Sequence, residues 1–424
     1  MRVLLISANR EEINMLTWPV GLACVTAATQ KAGHEVKLLD LMEANDPAAA
    51  LRESVHEFNP DVIGISVRNI DDQSMENTQF LLDEVREAVT VCRSLSNAPI
   101  VLGGAGYSIF PESSLEYLGA DMGIQGEGEK AFPALLKRIE EGQDFSGVPG
   151  LYVSRVGPRG EREFAKDLDE FPLPDIHSLS AARYRDQEFW LPVQTRRGCP
   201  MKCSYCSTAV IEGCAIRKRS PEAVVKWLGE CAAAGFSRFY FVDNTFNLPP
   251  SYARMLCSKL VQANLDITWR CILYPVKIDE ELVRIMAKAG CVEVSLGFES
   301  GHELVLHGMN KRFKPEDVRH TSELLGKYGI RRMGFLLLGG PGETKESAQE
   351  SLAFADSLNL EAMKVTVGIR IYPYTALADA ALKEGVIAPD DDLLMPRFYV
   401  AEGLEGWLRE TAKEWMATRP HWMT

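Results

Sequence analysis

The sequence predicts an α/β protein. A doubly wound, Rossmann-like domain comes first, then a partial α/β barrel and a small helical C-terminal segment. Two observations support this fold class. Short apolar runs alternate with segments of helical periodicity over 1–145 and again over 190–375, with short breaks between them, which is typical of parallel sheets covered by helices. The composition, 46% hydrophobic and 25% charged over 424 residues, is that of globular proteins.

The strands predicted in 1–145 are short apolar runs, and the helices between them have apolar residues at helical spacing. The strands are expected at 3–6, 35–39, 61–67, 99–102 and 122–125. The helices are expected at 19–31, 47–57, 81–95, 112–118 and 129–141. Sheets of this kind bind ligands at the carboxyl ends of their strands.

Residues 146–189 are predicted to form a linker that contains a hairpin, because turn signals at Val148-Pro149-Gly150 and Gly157–Gly160 surround two short strand candidates. The alternation then resumes and predicts the partial barrel at 190–375. Its strands are expected at 191–194, 238–242, 267–272, 291–297, 334–338 and 364–371. Its helices are expected at 221–234, 251–263, 279–289, 315–328 and 346–358. Residues 376–424 are predicted to be a helical segment that shapes the substrate site.

Charge and hydropathy exclude several classes. The net charge of −13 argues against a global basic surface, so nucleic acid is a disfavoured partner. No apolar run approaches the roughly 20 residues that span a bilayer, and the N-terminus lacks the apolar core of a signal peptide. We therefore expect a cytoplasmic protein without membrane contact, whose ten cysteines are reduced thiols or metal ligands.

Three of these cysteines lie within eight residues. Cys199, Cys203 and Cys206 have Cys-x3-Cys-x2-Cys spacing directly after a predicted strand and Arg196-Arg197-Gly198. Three thiolates leave one iron of a [4Fe–4S] cluster without a protein ligand, where four would complete it. The alternatives are incidental thiols and a structural zinc site, for which Cys214 is the nearest fourth ligand.

With this spacing, residues 190–375 resemble the radical S-adenosylmethionine (SAM) enzymes. The resemblance implies that Cys199, Cys203 and Cys206 bind the cluster and that SAM chelates the open iron. Reduction by an external one-electron donor such as a flavodoxin or ferredoxin then cleaves SAM to a 5′-deoxyadenosyl radical. Further segments match in order, among them Phe241–Phe246, Ser295–Gly301 and Leu338–Thr344. They imply SAM-binding roles for Tyr205, Asp243, Glu299, Ser300, Gly339, Gly340 and Arg370.

The first domain resembles the cobalamin-binding domain that precedes one subclass of these enzymes. The resemblance is carried by glycine-rich segments after two predicted strands, Gly103–Ser108 and Gly126–Glu129, and by the segment that begins at Pro19. It implies cobalamin contacts from Pro19, Gly21, Ser66, Arg68, Asn69, Gly103, Gly104, Ala105, Gly106, Gly126, Gly128 and Glu129. The segment Asp-x-His-x-x-Gly, which supplies a lower histidine ligand, is missing from the sequence. We therefore place Arg68 below the cobalt as a hypothesis, the alternative being pairing with Asp71 or Asp72.

The resemblance implies a cobalamin-dependent radical SAM methyltransferase. Such an enzyme would methylate an unactivated carbon or a phosphorus of a small molecule or peptide through a 5′-deoxyadenosyl radical and methylcobalamin. The alternative is a rearrangement, cyclisation or ring contraction with the same cofactors, and product mass separates the two. A methylthiotransferase is disfavoured because only Cys24 and Cys92 precede residue 190, too few for a second cluster. A cobalamin carrier is disfavoured by the three clustered cysteines.

Overall fold

The computed structural model describes residues 1–11, 16–176, 184 and 189–424. The chain divides into two compact units. The first contains residues 1–72, 79–189 and 210–213, and the second contains 73–78, 190–209 and 214–424. Residues 177–183 and 185–188 of the predicted linker lie outside the described residues. Among the helices of the described part, none has the length and apolar character needed to cross a membrane.

The first unit is built on a sheet of seven strands in its described residues. They are β1 (Arg2–Ser7), β2 (Glu35–Asp40), β3 (Val62–Ser66), β4 (Ile100–Gly103), β5 (Met122–Ile124), β6 (Leu151–Val153) and β7 (Gly157–Pro158). Their lateral order is β2-β1-β3-β4-β5-β6-β7. The first five are parallel, and β6 and β7, the predicted hairpin, add an antiparallel edge. The order reverses between β1 and β3, the point where doubly wound sheets bind ligands.

Helices cover this sheet. They are α1 (Val20–Lys31), α2 (Pro47–Phe58), α3 (Leu82–Leu95), α4 (Ala105–Ile109), α5 (Pro111–Leu118) and α6 (Gly128–Glu140). Helix α2 begins where Asp46 Oδ1 accepts a hydrogen bond from the amide of Ala49 at 2.9 Å, as expected of an N-cap. The continuous apolar run Val3–Ile6 is buried, as is typical of parallel strands covered on both faces. The sequence did not predict α4, which follows the first glycine segment.

The second unit contains a parallel sheet whose described strands number seven. They are β8 (Leu191–Val193), β11 (Arg238–Phe241), β12 (Thr268–Leu273), β13 (Cys291–Glu299), β14 (Arg331–Leu338), β15 (Ala362–Val367) and β18 (Trp422–Met423). Their order is β18-β15-β14-β13-β12-β11-β8. All six predicted strands of this region are present and follow one another across the sheet. With β18 and β8 at its two edges the sheet is open, as a partial barrel requires.

Two antiparallel pairs and nine described helices complete the chain. The pairs are β9 (Arg196–Arg197) with β10 (Arg217–Lys218), and β16 (Ile369–Arg370) with β17 (Phe398–Tyr399). The helices are α7 (Thr208–Glu212), α8 (Pro221–Ala233), α9 (Pro250–Ala263), α10 (Glu280–Lys288), α11 (Glu303–Gly308), α12 (Pro315–Lys327), α13 (Lys345–Ser357), α14 (Ala376–Lys383) and α15 (Glu405–Ala417). The five predicted helices of the barrel correspond to α8, α9, α10, α12 and α13.

The predicted helical C-terminal segment also contains two short strands. Residues 376–424 contain α14 and α15, but also β17 and β18, and β18 extends the parallel sheet by pairing with β15. The guanidinium of Arg419 lies 4.2 Å from the ring centroid of Trp415 and 5.4 Å from that of Trp422, and it forms an ion pair with Asp356 at 2.6 Å. These contacts bury Trp422 and hold the last strand on the sheet.

Replacing Gly290 with alanine is expected to destabilise the second unit. Gly290 has φ +94°, and a Cβ there would lie 2.5 Å from the carbonyl oxygen of Ile267. Gly235, at a similar turn with φ +98°, has open space around the same position. Both alanine variants carry the backbone strain, but only Gly290→Ala adds a clash, so it should lose about 1–3 kcal/mol more. Thermal unfolding followed by circular dichroism tests this, and equal losses in the two variants would contradict it.

Candidate functional site

The three clustered cysteines lie on one loop between β9 and α7. Cys199, Cys203 and Cys206 are each partly exposed. Of the other seven, Cys214 is exposed and the rest are buried, namely Cys24, Cys92, Cys231, Cys257, Cys271 and Cys291. The cysteines outside the cluster are therefore mostly core residues, while the three on the loop remain accessible to a ligand.

Backbone contacts hold this cysteine loop against two other segments. The amide of Ser204 donates to the carbonyl of Met309 at 3.0 Å, and the carbonyl of Ser204 accepts from the amide of Leu377 at 2.8 Å. The side-chain amide of Asn310 donates to the carbonyl of Lys202 at 2.5 Å. Within the described residues, the buried Oγ of Ser204 has no hydrogen-bond partner. A held loop with three accessible thiols and an unsatisfied buried hydroxyl fits an iron–sulfur cluster, whose properties depend on such hydrogen bonds.

Asp243 follows β11, and both of its carboxylate oxygens accept hydrogen bonds from the residues that lead into the cysteine loop. Its Oδ1 accepts from the amides of Thr195 and Arg196, at 2.8 and 3.1 Å, and its Oδ2 accepts from Thr195 Oγ1 at 2.6 Å. The Nε of Arg196 lies 3.3 Å from Oδ2, and both side chains are almost completely buried. The predicted direct SAM contact of Asp243 is therefore not supported. The sequence pattern placed the residue correctly at a strand end, but its carboxylate is occupied by the chain itself.

Glu299 ends β13 with φ +63°, and its carboxylate faces the ammonium of Lys311 at 3.2 Å. The Nζ of Lys311 also lies 5.3 Å from the ring centroid of Tyr205 in the cysteine loop. Burial raises the pKa of Tyr205, so its phenol stays neutral. Burial opposes the charge of Lys311, but a hydrogen bond to Tyr205 and the charge of Glu299 raise its pKa. Two predicted site residues thus meet at a buried cation that the sequence analysis missed.

Ser300 and Arg370 have structural partners. The hydroxyl of Ser300 lies 2.8 Å from that of Ser351 and accepts from the amide of His302 at 3.1 Å. The guanidinium of Arg370 donates to three carbonyls, those of Ile371, Leu393 and Leu394. Both side chains are buried. The predicted SAM contacts of these two residues are therefore not supported, because their polar groups hold a helix start and a tail loop.

Gly339 and Gly340 form the turn between β14 and α13. A Cβ on Gly340 would lie 2.8 Å from Cε of Met309, in the segment that contacts the cysteine loop. The carboxylate of Glu343 accepts from the amide of Gly339, while its Oε1 is buried without a hydrogen-bond partner in the described part of the chain. Burial raises the pKa of Glu343 to about 7. The carboxylate of Glu343 thus closes the turn by binding its backbone. Glu343 lies within the segment Leu338–Thr344, but the sequence analysis gave it no role.

The glycines predicted to contact cobalamin end or follow strands of the first unit, or lie in the first turn of its helices. They differ in whether an added Cβ would meet other atoms of the chain. A Cβ at Gly21 or Gly103 would meet open space. At the four other predicted glycines, an added Cβ would lie close to other atoms of the chain. A Cβ would lie 2.5 Å from Val67 O at Gly104, 3.1 Å from Arg68 O at Gly106, 2.9 Å from Arg162 at Gly126 and 2.8 Å from Val25 at Gly128.

Ser108 joins the two glycine segments. Its hydroxyl donates to the carbonyl of Gly104 at 2.8 Å and accepts from the amide of Gly126 at 3.0 Å. The remaining predicted residues surround these segments. Arg68, Gly21 and Ala105 are exposed, Pro19, Ser66 and Asn69 are partly buried, and Glu129 is buried. The loop after β3 is held by the amide of Gly106, which donates to the carbonyls of Val67 and Arg68.

Glu343→Gln is expected to stabilise the protein at pH 8 but hardly at pH 5. Because the pKa of Glu343 in the folded protein, about 7, lies above the ordinary glutamate pKa of 4.5, the folded state binds the proton more tightly than the unfolded state does. The residue's contribution to stability therefore falls as the pH rises from 4.5 to 7 and stays low above it. Glutamine does not titrate and so avoids this loss. At about 1.4 kcal/mol for each pKa unit of difference between the folded and unfolded states, the gain in unfolding free energy is up to roughly 3 kcal/mol.

Urea unfolding of Glu343→Gln and the unaltered chain at pH 5 and pH 8 measures this difference. Glu346→Gln, which changes an exposed glutamate in the first turn of α13, three residues after Glu343, is the control and should show no such pH dependence. An equal shift of the Glu343→Gln midpoint at both pH values would contradict the prediction.

Comparison with known proteins agrees with this arrangement. Residues 6–136 match the B12 binding domain and residues 193–355 match the radical SAM superfamily. An uncharacterized methyltransferase of Pyrococcus horikoshii is 26% identical over 398 residues, 91% of this chain and 84% of the relative. The tryptophan 2-C-methyltransferase of Streptomyces laurentii is 25% identical over an alignment of 442 positions, gaps included. This alignment covers 89% of this chain and 74% of the relative.

The fold also matches a solved structure. That of the radical S-adenosylmethionine methyltransferase TsrM from Kitasatospora setae, with cobalamin and a [4Fe-4S] cluster bound, superposes with a TM-score of 0.88 at 23% identity and covers 100% of this chain and 90% of that one. The predicted fold class is thereby confirmed. The two domain matches, in the predicted order, show that this chain carries a B12 binding domain followed by a radical SAM domain.

Proposed function

We propose that this enzyme methylates an unactivated carbon or phosphorus centre of a small molecule or peptide. The observation that carries the proposal is the combination of three accessible thiols on a held loop with an N-terminal unit of the cobalamin-binding type. When bound, the cluster and SAM supply hydrogen-atom abstraction and cobalamin supplies a transferable methyl group, chemistry that no protein side chain provides. The named relatives, which include a tryptophan methyltransferase, support a small-molecule substrate.

In this proposal the chain's own residues bind and position the cofactors. Cys199, Cys203 and Cys206 would bind three irons of the cluster, and because there are only three thiolates, the fourth iron would be left without a protein ligand. Glu299, at the carboxyl end of β13, accepts hydrogen bonds from the sugar hydroxyls of SAM. The Gly339-Gly340 turn lets the backbone approach SAM closely. Asp243, Ser300 and Arg370 hold these segments in place without touching the cofactor.

The first unit binds cobalamin at the strand carboxyl ends on either side of the order reversal between β1 and β3. The space at Gly21 and Gly103 fits a flat, bulky ligand, because neither position has a heavy atom within 4 Å of an added Cβ. Arg68 follows β3, and in this proposal its side chain would lie below the cobalt. In the described residues, no ion pair between Arg68 and an acid is present to hold it elsewhere.

We also propose a cytoplasmic location and an external one-electron donor, such as a flavodoxin or ferredoxin. All ten cysteines are thiols that form no disulfide, which suits a reducing compartment. The substrate-facing part of the enzyme is assigned to 376–424, where α14 contacts the cysteine loop through the amide of Leu377.

Anaerobic reconstitution with iron, sulfide and hydroxocobalamin tests the cofactor content. We expect roughly four irons per chain and one cobalamin. Incubation with SAM, reductant and candidate substrates, followed by mass spectrometry, tests the reaction. A product heavier by one methyl group supports methyl transfer, whereas a product without it supports rearrangement or cyclisation. A cluster without cobalamin would exclude a cobalamin-dependent reaction.

Cys203→Ala is expected to lose most of the bound iron and all SAM cleavage, because a two-thiolate loop no longer provides three of the cluster's ligands. Cys214→Ala is the matched control, since Cys214 is exposed and lies eight residues after Cys206. Iron content and the visible absorption of the reconstituted proteins measure the effect. A Cys203→Ala protein with a full iron complement, or a Cys214→Ala protein without iron, would overturn the assignment.

Arg68→Ala is expected to change the visible spectrum of bound cobalamin and to slow methyl transfer, because the group facing the cobalt is replaced by solvent. Arg52→Ala, an exposed arginine on α2, should leave both unchanged. The spectrum is recorded for the cob(II)alamin and hydroxocobalamin forms. An Arg68→Ala protein whose spectrum and rate equal those of the unaltered enzyme would remove Arg68 from the site.

A further inference from the structure

Lys311 is a buried cation between two segments of the SAM site. Its side chain is 5% exposed and its Nζ lies 3.2 Å from Oε1 of Glu299. The carbonyl oxygen of Gly297, on the same strand as Glu299, lies 3.5 Å away. On its other side, Nζ faces the ring of Tyr205 in the cysteine loop. One ammonium therefore contacts both the end of β13 and the loop that carries the three cysteines.

Burying this ammonium is costly, so its contacts must compensate. A charge removed from water loses roughly several kcal/mol of hydration free energy. It stays charged only where other groups replace the lost water contacts. Glu299 is its carboxylate partner at hydrogen-bond distance in the described residues. Beyond Tyr205, the rings of Tyr274 and Phe313 lie with their centroids 5.9 Å from Nζ, close enough for cation–π attraction.

Glu299 is itself held in an unfavourable conformation. Its φ of +63° is rare for a residue with a side chain, and the register between β13 and β14 shifts at this point. Its Oε1 lies 3.0 Å from where a Cβ on Gly297 would be, so the carboxylate folds back over its own strand toward Lys311. Strained residues of this kind persist where surrounding contacts determine them and are frequent at ligand sites.

We infer that Lys311 is a positioning residue for SAM, which holds the Glu299 carboxylate in the orientation that accepts the sugar hydroxyls. The inference rests on the proposed function, because it assigns Glu299 to the SAM sugar. Lys311 acts through Glu299 and fixes the distance between that acid and the cysteine loop through Tyr205. The nearby Lys314 differs, because its ammonium pairs with Glu303 at the surface, with both side chains more than 60% exposed.

Equilibrium binding of SAM to the reconstituted, unreduced holoenzyme tests this inference without turnover. Lys311→Met keeps the length and apolar contacts of the side chain but removes the charge, and Glu299→Gln removes the acid. Each is expected to raise the dissociation constant of SAM by about tenfold or more, the scale of one charge-assisted hydrogen bond. Lys314→Met is the matched control and should bind SAM as the unaltered enzyme does.

The double variant Lys311→Met/Glu299→Gln separates positioning from general damage. If Lys311 acts through Glu299, the double variant loses no more affinity than either single variant, because one mechanism is removed only once. Iron content and thermal unfolding show whether each variant remains loaded and folded. Should Lys311→Met lose its iron, Lys311→Arg takes its place in the same cycle, with the charge kept and the geometry changed, and the same non-additive loss is expected.

Additive losses, or wild-type SAM affinity in folded, iron-loaded Lys311→Met, would overturn the role of Lys311 alone. Failure of the unaltered holoenzyme to bind SAM would overturn the proposed function together with this inference. The two failures are therefore distinguishable in one set of measurements.

Discussion

The buried pair of Asp243 and Arg196 is the interaction on which the cysteine loop depends. A carboxylate without solvent must have its oxygens occupied, and here two backbone amides, one hydroxyl and one guanidinium nitrogen occupy them. These donors all belong to Thr195 and Arg196, which begin the segment leading into Cys199. Since leaving one member of such a pair unpaired costs about 3–5 kcal/mol, the end of β11 strongly determines where the loop begins.

The same pair extends to the neighbouring helix. The guanidinium of Arg196 also donates to the carbonyl of Leu248 at 2.6 Å and lies 4.6 Å from the ring centroid of Tyr252 in α9. Tyr252 in turn donates to the carbonyl of Arg219 at 2.8 Å. The strand end, the loop start and the helix thus share one buried polar network, which fixes the start of the loop whose eight residues from 199 to 206 carry the three thiols.

The strands and the cysteine loop were predictable because each has a local signal. Apolar runs identify buried strands, and close cysteine spacing identifies a ligand set. The role of Asp243 was not predictable, because a strand-end acid that binds a ligand and one that binds its own chain have the same sequence pattern. Lys311 was missed for a related reason. It stands in the polar segment Met309–Lys314, which reads as exposed, and only the fold brings Glu299 and Tyr205 to it. The edge strand β18 is too short for periodicity to indicate it.

The glycines of the first unit also show what a sequence pattern does not predict, namely whether a glycine faces open space or the chain itself. Gly103 and Gly104 are adjacent in sequence and follow the same strand, yet a side chain would meet open space at one and the carbonyl of Val67 at the other. Gly104 therefore serves the close packing of the turn on the loop after β3, and Ser108 then ties that turn to Gly126. A glycine-rich segment leaves room for a ligand only where no other part of the chain occupies the space beside its backbone. By that criterion, space for a side chain remains open at Gly21 and Gly103, while Gly104, Gly106, Gly126 and Gly128 lie against the chain itself.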